Sequence, residues 1–127
     1  MSTSDETGRL YSVEEANAAL LELRESLVRI REARREVLRS GRKVGARSGT
    51  NGGGPEGTAY LEALSILREE VERLAEEDII LRDAETGLVD FPSEREGRVV
   101  QLCWRLGEDR VDHWHEVDAG FQARKPL

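Results

Sequence analysis

Two stretches of this chain carry apolar residues in alternating steps of three and four, and a run of glycines separates them. In the first, Val13, Ala16, Leu20, Leu23, Leu27, Ile30 and Val37 keep the stepping, with Arg34 in one slot. In the second, Tyr60, Leu64, Leu67, Val71 and Leu74 repeat it, and Leu61 and Ile66 widen the stripe. A repeat of about 3.5 residues is the seam of a coiled coil. The spacing predicts two helices that bury matching stripes against each other as an antiparallel hairpin.

Local signals set the boundaries. Ser12-Val13-Glu14-Glu15 fits a capping box, in which the hydroxyl accepts from one backbone amide and Glu15 reaches back to another. Tyr11 is placed to staple onto Ala16. The first helix is expected to reach Ser40 and stop at Gly41, with cations near its negative end. Residues 41–57 hold seven of the twelve glycines, and Pro55, so they read as a loop between helices. The second helix is expected over about Thr58 to Glu77. Residues 1–10 read as a loose tail, and 11–127 as one domain whose hairpin occupies 12–77.

After Asp78 the period drops to two. Ile79–Asp83 and Leu88–Phe91 flank a polar turn and read as a β-hairpin ended by Pro92. Arg98–Leu106 and Arg110–Val117 read as two more strands joined at Gly107-Glu108-Asp109, and 118–127 as irregular chain. The fold class is α+β: an antiparallel, coiled-coil-like pair of helices, then a small, mainly antiparallel sheet of about four strands over 79–127.

If Glu108 and Asp109 form a two-residue loop, Trp104 faces His113, Leu102 faces His115 and Cys103 faces Trp114. Both histidines then share the apolar face of Val100, Leu102, Trp104 and Leu106. Cys103, Arg105, Trp114 and Glu116 take the other face, since cross-strand partners share one.

Composition narrows the function. A net charge of −7 disfavours nucleic acid, although residues 29–47 set eight cations against two acids. Arg35, Arg39, Arg42, Lys43 and Arg47 form that basic patch. It lacks the glycine-lysine order of a phosphate loop and the aromatics that stack on bases. A single cysteine leaves no internal disulfide and suits a reducing cytoplasm. No apolar run is long enough for a membrane span, and 1–8 lack the apolar core of a secretion signal.

Residues 87–121 collect both tryptophans, both histidines, both phenylalanines and the cysteine. The runs GLVDFP (87–92), GRVVQLCWRLGE (97–108) and WHEVDAGF (114–121), then Arg124 and Pro126, resemble a prokaryotic family known as domain of unknown function 2203. So do the opening Tyr11–Asn17 and the glycine break at Asn51–Gly54. The resemblance implies a small bacterial protein of helical hairpin plus strands. It transfers no catalytic residue.

Several chemistries fit the C-terminal stretch. His113 and His115, two apart on a strand, point the same way and could share a metal with Asp118 or Asp90, though the spacing is not HExxH. Cys103 with a histidine is a nucleophile arrangement, but the register above separates them. Arg105, Trp114, His115, Glu116 and Asp90 are the ligand-binding candidates. No cofactor is expected, and catalytic residues stay unassigned. The leading expectation is a non-enzymatic interaction or scaffold module that uses its helices, including as a homodimer. The alternative is a small-ligand or metal-binding protein, or an enzyme, that uses the C-terminal patch.

Overall fold

The computed structural model describes residues 8–46 and 54–127. Three helices come first: α1 (Val13–Ala18), α2 (Leu20–Ala46) and α3 (Gly54–Glu76). A five-stranded antiparallel meander follows, in the order β1 (Ile80–Asp83), β2 (Leu88–Arg95), β3 (Arg98–Arg105), β4 (His113–Glu116) and β5 (Lys125–Pro126). The class is α+β, with one strand more than expected.

The capping box forms as the sequence requires: Glu15 N donates to Ser12 Oγ at 3.0 Å, and Ser12 N to Glu15 Oε1 at 2.8 Å. The first helical rod tightens at Ala19, whose N–H is shared between the carbonyls of Glu15 (3.1 Å) and Ala16 (3.2 Å). It then runs past the expected stop at Gly41 to Ala46. Gly41 is a point of close approach, because a Cβ there would lie 3.2 Å from Cε1 of Tyr60 on α3. α3 begins before Thr58, at Gly54, with Pro55 in its first turn, where a missing N–H costs nothing. Of the expected glycine loop, residues 47–53 lie outside the described residues, and the rest is helix.

Contacts run in opposite senses along α2 and α3. Ser26 meets Glu70, while Gly41 meets Tyr60, so the helices are antiparallel. On α2 the buried apolar positions are Leu20, Leu23, Leu27, Ile30 and Ala33, so Ala33 takes the place foreseen for Arg34. Arg34 reaches Glu85 instead, at 3.4 Å.

The seam on α3 is rotated from the predicted one. Ala63, Glu70 and Leu74 are buried, while Leu64 and Val71 are exposed. An acid fills a seam position because it has partners there. Ser26 Oγ donates to Glu70 Oε1 at 2.8 Å and Arg29 Nε to Oε2 at 2.8 Å. Burial alone would raise this carboxyl. The Arg29 and Ser26 hydrogen bonds, with the charges of Arg29 and Arg73, outweigh burial and hold it below the ordinary range.

One face of the sheet packs on the helices. Cross-strand pairing aligns Val89 with Trp104, Phe91 with Leu102, and Leu102 with Trp114, and these join Leu20, Leu23, Leu27 and Ile30 in one core. β2 does not end at Pro92 but continues to Arg95 and turns through Glu96 and Gly97, both at positive φ (54° and 79°), the mark of a tight two-residue hairpin. Pro92 is tolerated because β1 has ended by then. Its carbonyl accepts from Tyr11 N at 2.7 Å, and on an extended strand the absent N–H would have faced that same side. The expected loose tail is anchored at its described end: Arg9 N donates to Asp78 Oδ2 at 3.0 Å, and Tyr11 OH to the Glu77 carbonyl at 2.6 Å.

Glu70→Ala should cost about 1–3 kcal/mol in urea unfolding at neutral pH, since Ser26 and Arg29 lose a buried acceptor. A carboxyl held low stabilises the fold above its ordinary value of 4.5 and loses that contribution as pH falls through its folded value. The gap between wild type and variant should therefore shrink on acidification.

Candidate functional site: a cleft on the open face of the sheet

The sheet face turned away from the helices is polar where it matters. The predicted β3–β4 pairing is off by one residue. Cys103 lies opposite His113, Leu102 opposite Trp114 and Gln101 opposite His115. The turn is not the expected pair Glu108-Asp109. Residues 106–112 form a longer connection, and Glu108 folds back to accept from Arg105 N at 2.9 Å. Asn17 of α1 clips the far end, donating to the Val111 carbonyl at 3.3 Å and accepting from Val111 N at 2.8 Å.

A one-residue shift exchanges the two faces of a strand. Trp114 therefore turns to the helix side, and His115 joins Cys103 on the open side. Cys103 is also paired with Asp90 of β2. Asp90, Cys103 and His115 are buried (1%, 1% and 2% exposed), with one donor atom from each lying within 4.8 Å of the others.

Their partners define the chemistry. His115 Nδ1 lies 2.8 Å from the Glu116 carbonyl, which can only accept, so Nδ1 carries a proton. Nε2 lies 3.1 Å from each Asp90 carboxylate oxygen. Arg82 Nε donates to Asp90 Oδ2 at 2.8 Å. Cys103 is a thiol at neutral pH. Burial and the Asp90 carboxylate push it from 9.0 up to about 11, against the opposing pull of Arg124. A thiol so protonated is a poor nucleophile.

These residues floor a cavity of about 300 Å³. Arg82 and Leu88 form one wall. The other is the chain from Val117 to Phe121, which crosses the open face where irregular chain was expected and leads through a 3-10 turn (Phe121–Ala123) into β5. Phe121 is gripped by Arg105 and Arg124, whose guanidinium carbons lie 4.9 and 4.3 Å from the ring centre. Arg124 is held in turn by Glu108, NH1 to Oε1 at 3.1 Å.

The candidates named from sequence divide accordingly. His115 and Asp90 lie on the cleft floor, and Asp118 lies in its wall. Arg105 only braces Phe121. Trp114 is covered by Arg95, Lys125 and Arg98, 4.8, 5.0 and 5.9 Å from its ring centre. Glu116 pairs with Arg98, Nε to Oε1 at 3.1 Å, away from the cleft. His113 stands apart, with Nδ1 2.7 Å from Asp112 Oδ1. In the basic patch, Arg35 pairs with Glu85 and Arg39 with Glu36, Arg42 and Lys43 are exposed, and Arg47 lies outside the described residues.

Sequence reasoning missed Arg82 and Phe121, placed Cys103 rightly off the core face, and set His113 and His115 on the core face, apart from it. One signal was available: Asp90 interrupts the apolar run Leu88-Val89-Asp90-Phe91, where an acid needs a buried partner.

The molecule is thus an α+β protein in which a helical hairpin backs one face of a β-meander and the other face carries a polar cleft. It belongs to the family described as Uncharacterized conserved protein (DUF2203), whose model matches residues 9–127, in line with the resemblance read from its C-terminal runs. No curated protein and no solved structure matches the chain. Among the described residues, no helix is long and apolar enough to cross a membrane.

Cys103 should resist alkylation by iodoacetamide near pH 7 and react faster as pH climbs toward 11, following the thiolate fraction. Mass spectrometry of the time course checks this. Rapid modification at neutral pH would refute the buried-thiol description.

Proposed function

We propose that this protein binds a small polar ligand in the cleft over Asp90, Cys103 and His115, with the helical hairpin serving as the scaffold. One observation carries this reading: a carboxylate and an imidazole, both costly to bury, lie with a thiol on the floor of a cavity of about 300 Å³ instead of in the apolar core. Buried polar groups that converge on a concavity are the usual makeup of a binding site. Arg82 and Asp118 at the walls offer charges of both signs to a ligand. The protonated thiol favours binding over nucleophilic catalysis, and a lone reduced cysteine suits a bacterial cytoplasm.

Amide NMR on the full chain, titrated with small carboxylates, phosphates and amines, tests the reading. Shifts should cluster at Arg82, Leu88 and Val117–Phe121. Ala119→Trp, which fills the wall without touching the floor, should weaken binding by about tenfold or more, the effect of roughly 1.4 kcal/mol of lost contact. Shifts scattered away from the cleft, or unchanged affinity in the variant, would count against it.

A second reading is association through the helices, as a homodimer or with a protein partner. It is favoured by the apolar side chains that the rotated seam leaves outside. Leu61 (65% exposed), Leu64 and Val71 lie along one side of α3, and Leu21 (72% exposed) and Val28 along α2. Native mass spectrometry at micromolar concentration should then show a dimer that Leu61→Glu with Leu64→Glu converts to monomer. A wild-type monomer would dismiss the homodimer.

A further inference from the structure

We propose that Asp90, Cys103 and His115 form a three-residue site for a divalent transition-metal ion, zinc suiting the donor set best. The proposal rests on the cleft being the ligand site and names the ligand on its floor.

The first argument is the donor set. One carboxylate oxygen, one sulfur and one imidazole nitrogen, all within 4.8 Å of one another, match a borderline-soft ion and not magnesium or calcium, which prefer oxygen alone. The Nε2 to Asp90 oxygen separation of 3.1 Å is what two ligands at about 2.0–2.1 Å from one ion span at roughly a right angle. Sulfur completes the set with a side-chain adjustment of about 1 Å, since tetrahedral zinc bonds of about 2.0–2.3 Å give ligand edges near 3.5 Å.

The second argument is orientation. The Glu116 carbonyl fixes the proton of His115 on Nδ1 and turns Nε2 toward Asp90. A neutral ring in that pose directs a lone pair at a carboxylate. The contact is favourable only with a positive charge between them, either a second ring proton or a metal ion. Zinc-bound histidines are commonly held this way, by a backbone carbonyl on the other nitrogen. Arg82 occupies Oδ2 of Asp90 and leaves Oδ1 for the ion.

The third argument is an orphan. Gln101, cross-strand from His115 and 5% exposed, has an Oε1 atom with no hydrogen-bond partner among the described residues. Buried acceptors are rarely left so. It supplies an acceptor on the same sheet face as the cluster.

Binding is an exchange. The ion forms a bond to sulfur, the S–H bond breaks, and the proton leaves to solvent. Three protein ligands leave one position open toward the cavity, the pattern of sites that act on a bound water or substrate and not of closed structural sites.

Cobalt(II) is the probe, titrated into the untagged full chain under reducing conditions and followed by absorption and native mass spectrometry. One ion per chain is expected, with a thiolate-to-cobalt charge-transfer band in the near ultraviolet and visible bands of a tetrahedral ion. Cys103→Ser should remove the charge-transfer band, and His115→Gln should weaken binding by at least about a hundredfold, both with wild-type far-ultraviolet circular dichroism. No bound ion, or a band that persists in Cys103→Ser, overturns the proposal. If either variant fails to fold, the wild-type spectrum decides, because Cys103 is the one cysteine of the sequence: a thiolate-to-cobalt band that stoichiometric zinc abolishes supports the site, and its absence overturns it. The amide titration separates the two readings. Shifts at the cleft from an organic ligand without cobalt binding overturn the metal alone, and silence in both overturns the cleft as well.

Discussion

The pairing of β3 with both its neighbours is the constraint from which the rest follows. On β3, Val100, Leu102 and Trp104 alternate with Gln101 and Cys103, so one register serves two purposes. It delivers the indole and the aliphatics to the helices, and it brings Cys103 beside Asp90 and into reach of His115. A slip of one residue would bury the polar set in the core and expose the apolar set. The device that sets this register against β4 lies outside the sheet. Asn17 holds the main chain of Val111 with its side-chain amide, donating from Nδ2 and accepting at Oδ1, so the first helix measures out the connection that precedes His113.

Much of the architecture could be read from local chemistry. The cap at Ser12 depends on residues three apart and was foreseen in atomic detail. The helical stripes gave the antiparallel hairpin, and the change of period after Asp78 gave the sheet. What resisted prediction had distant causes. Gly41 resembles a helix stop until Tyr60 is known to press against it. Glu70 resembles a solvent-facing residue until Ser26 and Arg29 are placed opposite. Both depend on how α3 is rotated about its own axis, which a stripe widened by Leu61 and Ile66 leaves ambiguous.

The site was legible in parts and not as a whole. Asp90 and His115 were both candidates, but the tight turn assumed at Glu108-Asp109 sent the histidine to the core face. Glu108 was read as half of a two-residue turn after Gly107. Its work is to cap the end of β3 and hold Arg124, which braces Phe121 and with it the wall of the cleft. Burial tends to raise its carboxyl, but Arg124 and the Arg105 amide prevail and keep it ionised. The basic run on α2 resolves similarly: Arg35 and Arg39, which read from sequence as an open cationic patch, are neutralised by Glu85 and Glu36.

The two indoles stand in unlike surroundings. Trp104 is wholly enclosed between sheet and helices with the Arg24 guanidinium 5.6 Å from its ring centre, whereas Trp114 has Arg95, Arg98 and Lys125 around it at the rim. Positive charge close to an indole ring perturbs its excited state, and one cation over the enclosed Trp104 does so differently from three around Trp114. The intrinsic emission of this molecule is consequently a mixture of two colours, one reporting on the seal between layers and the other on the strand that bears His115.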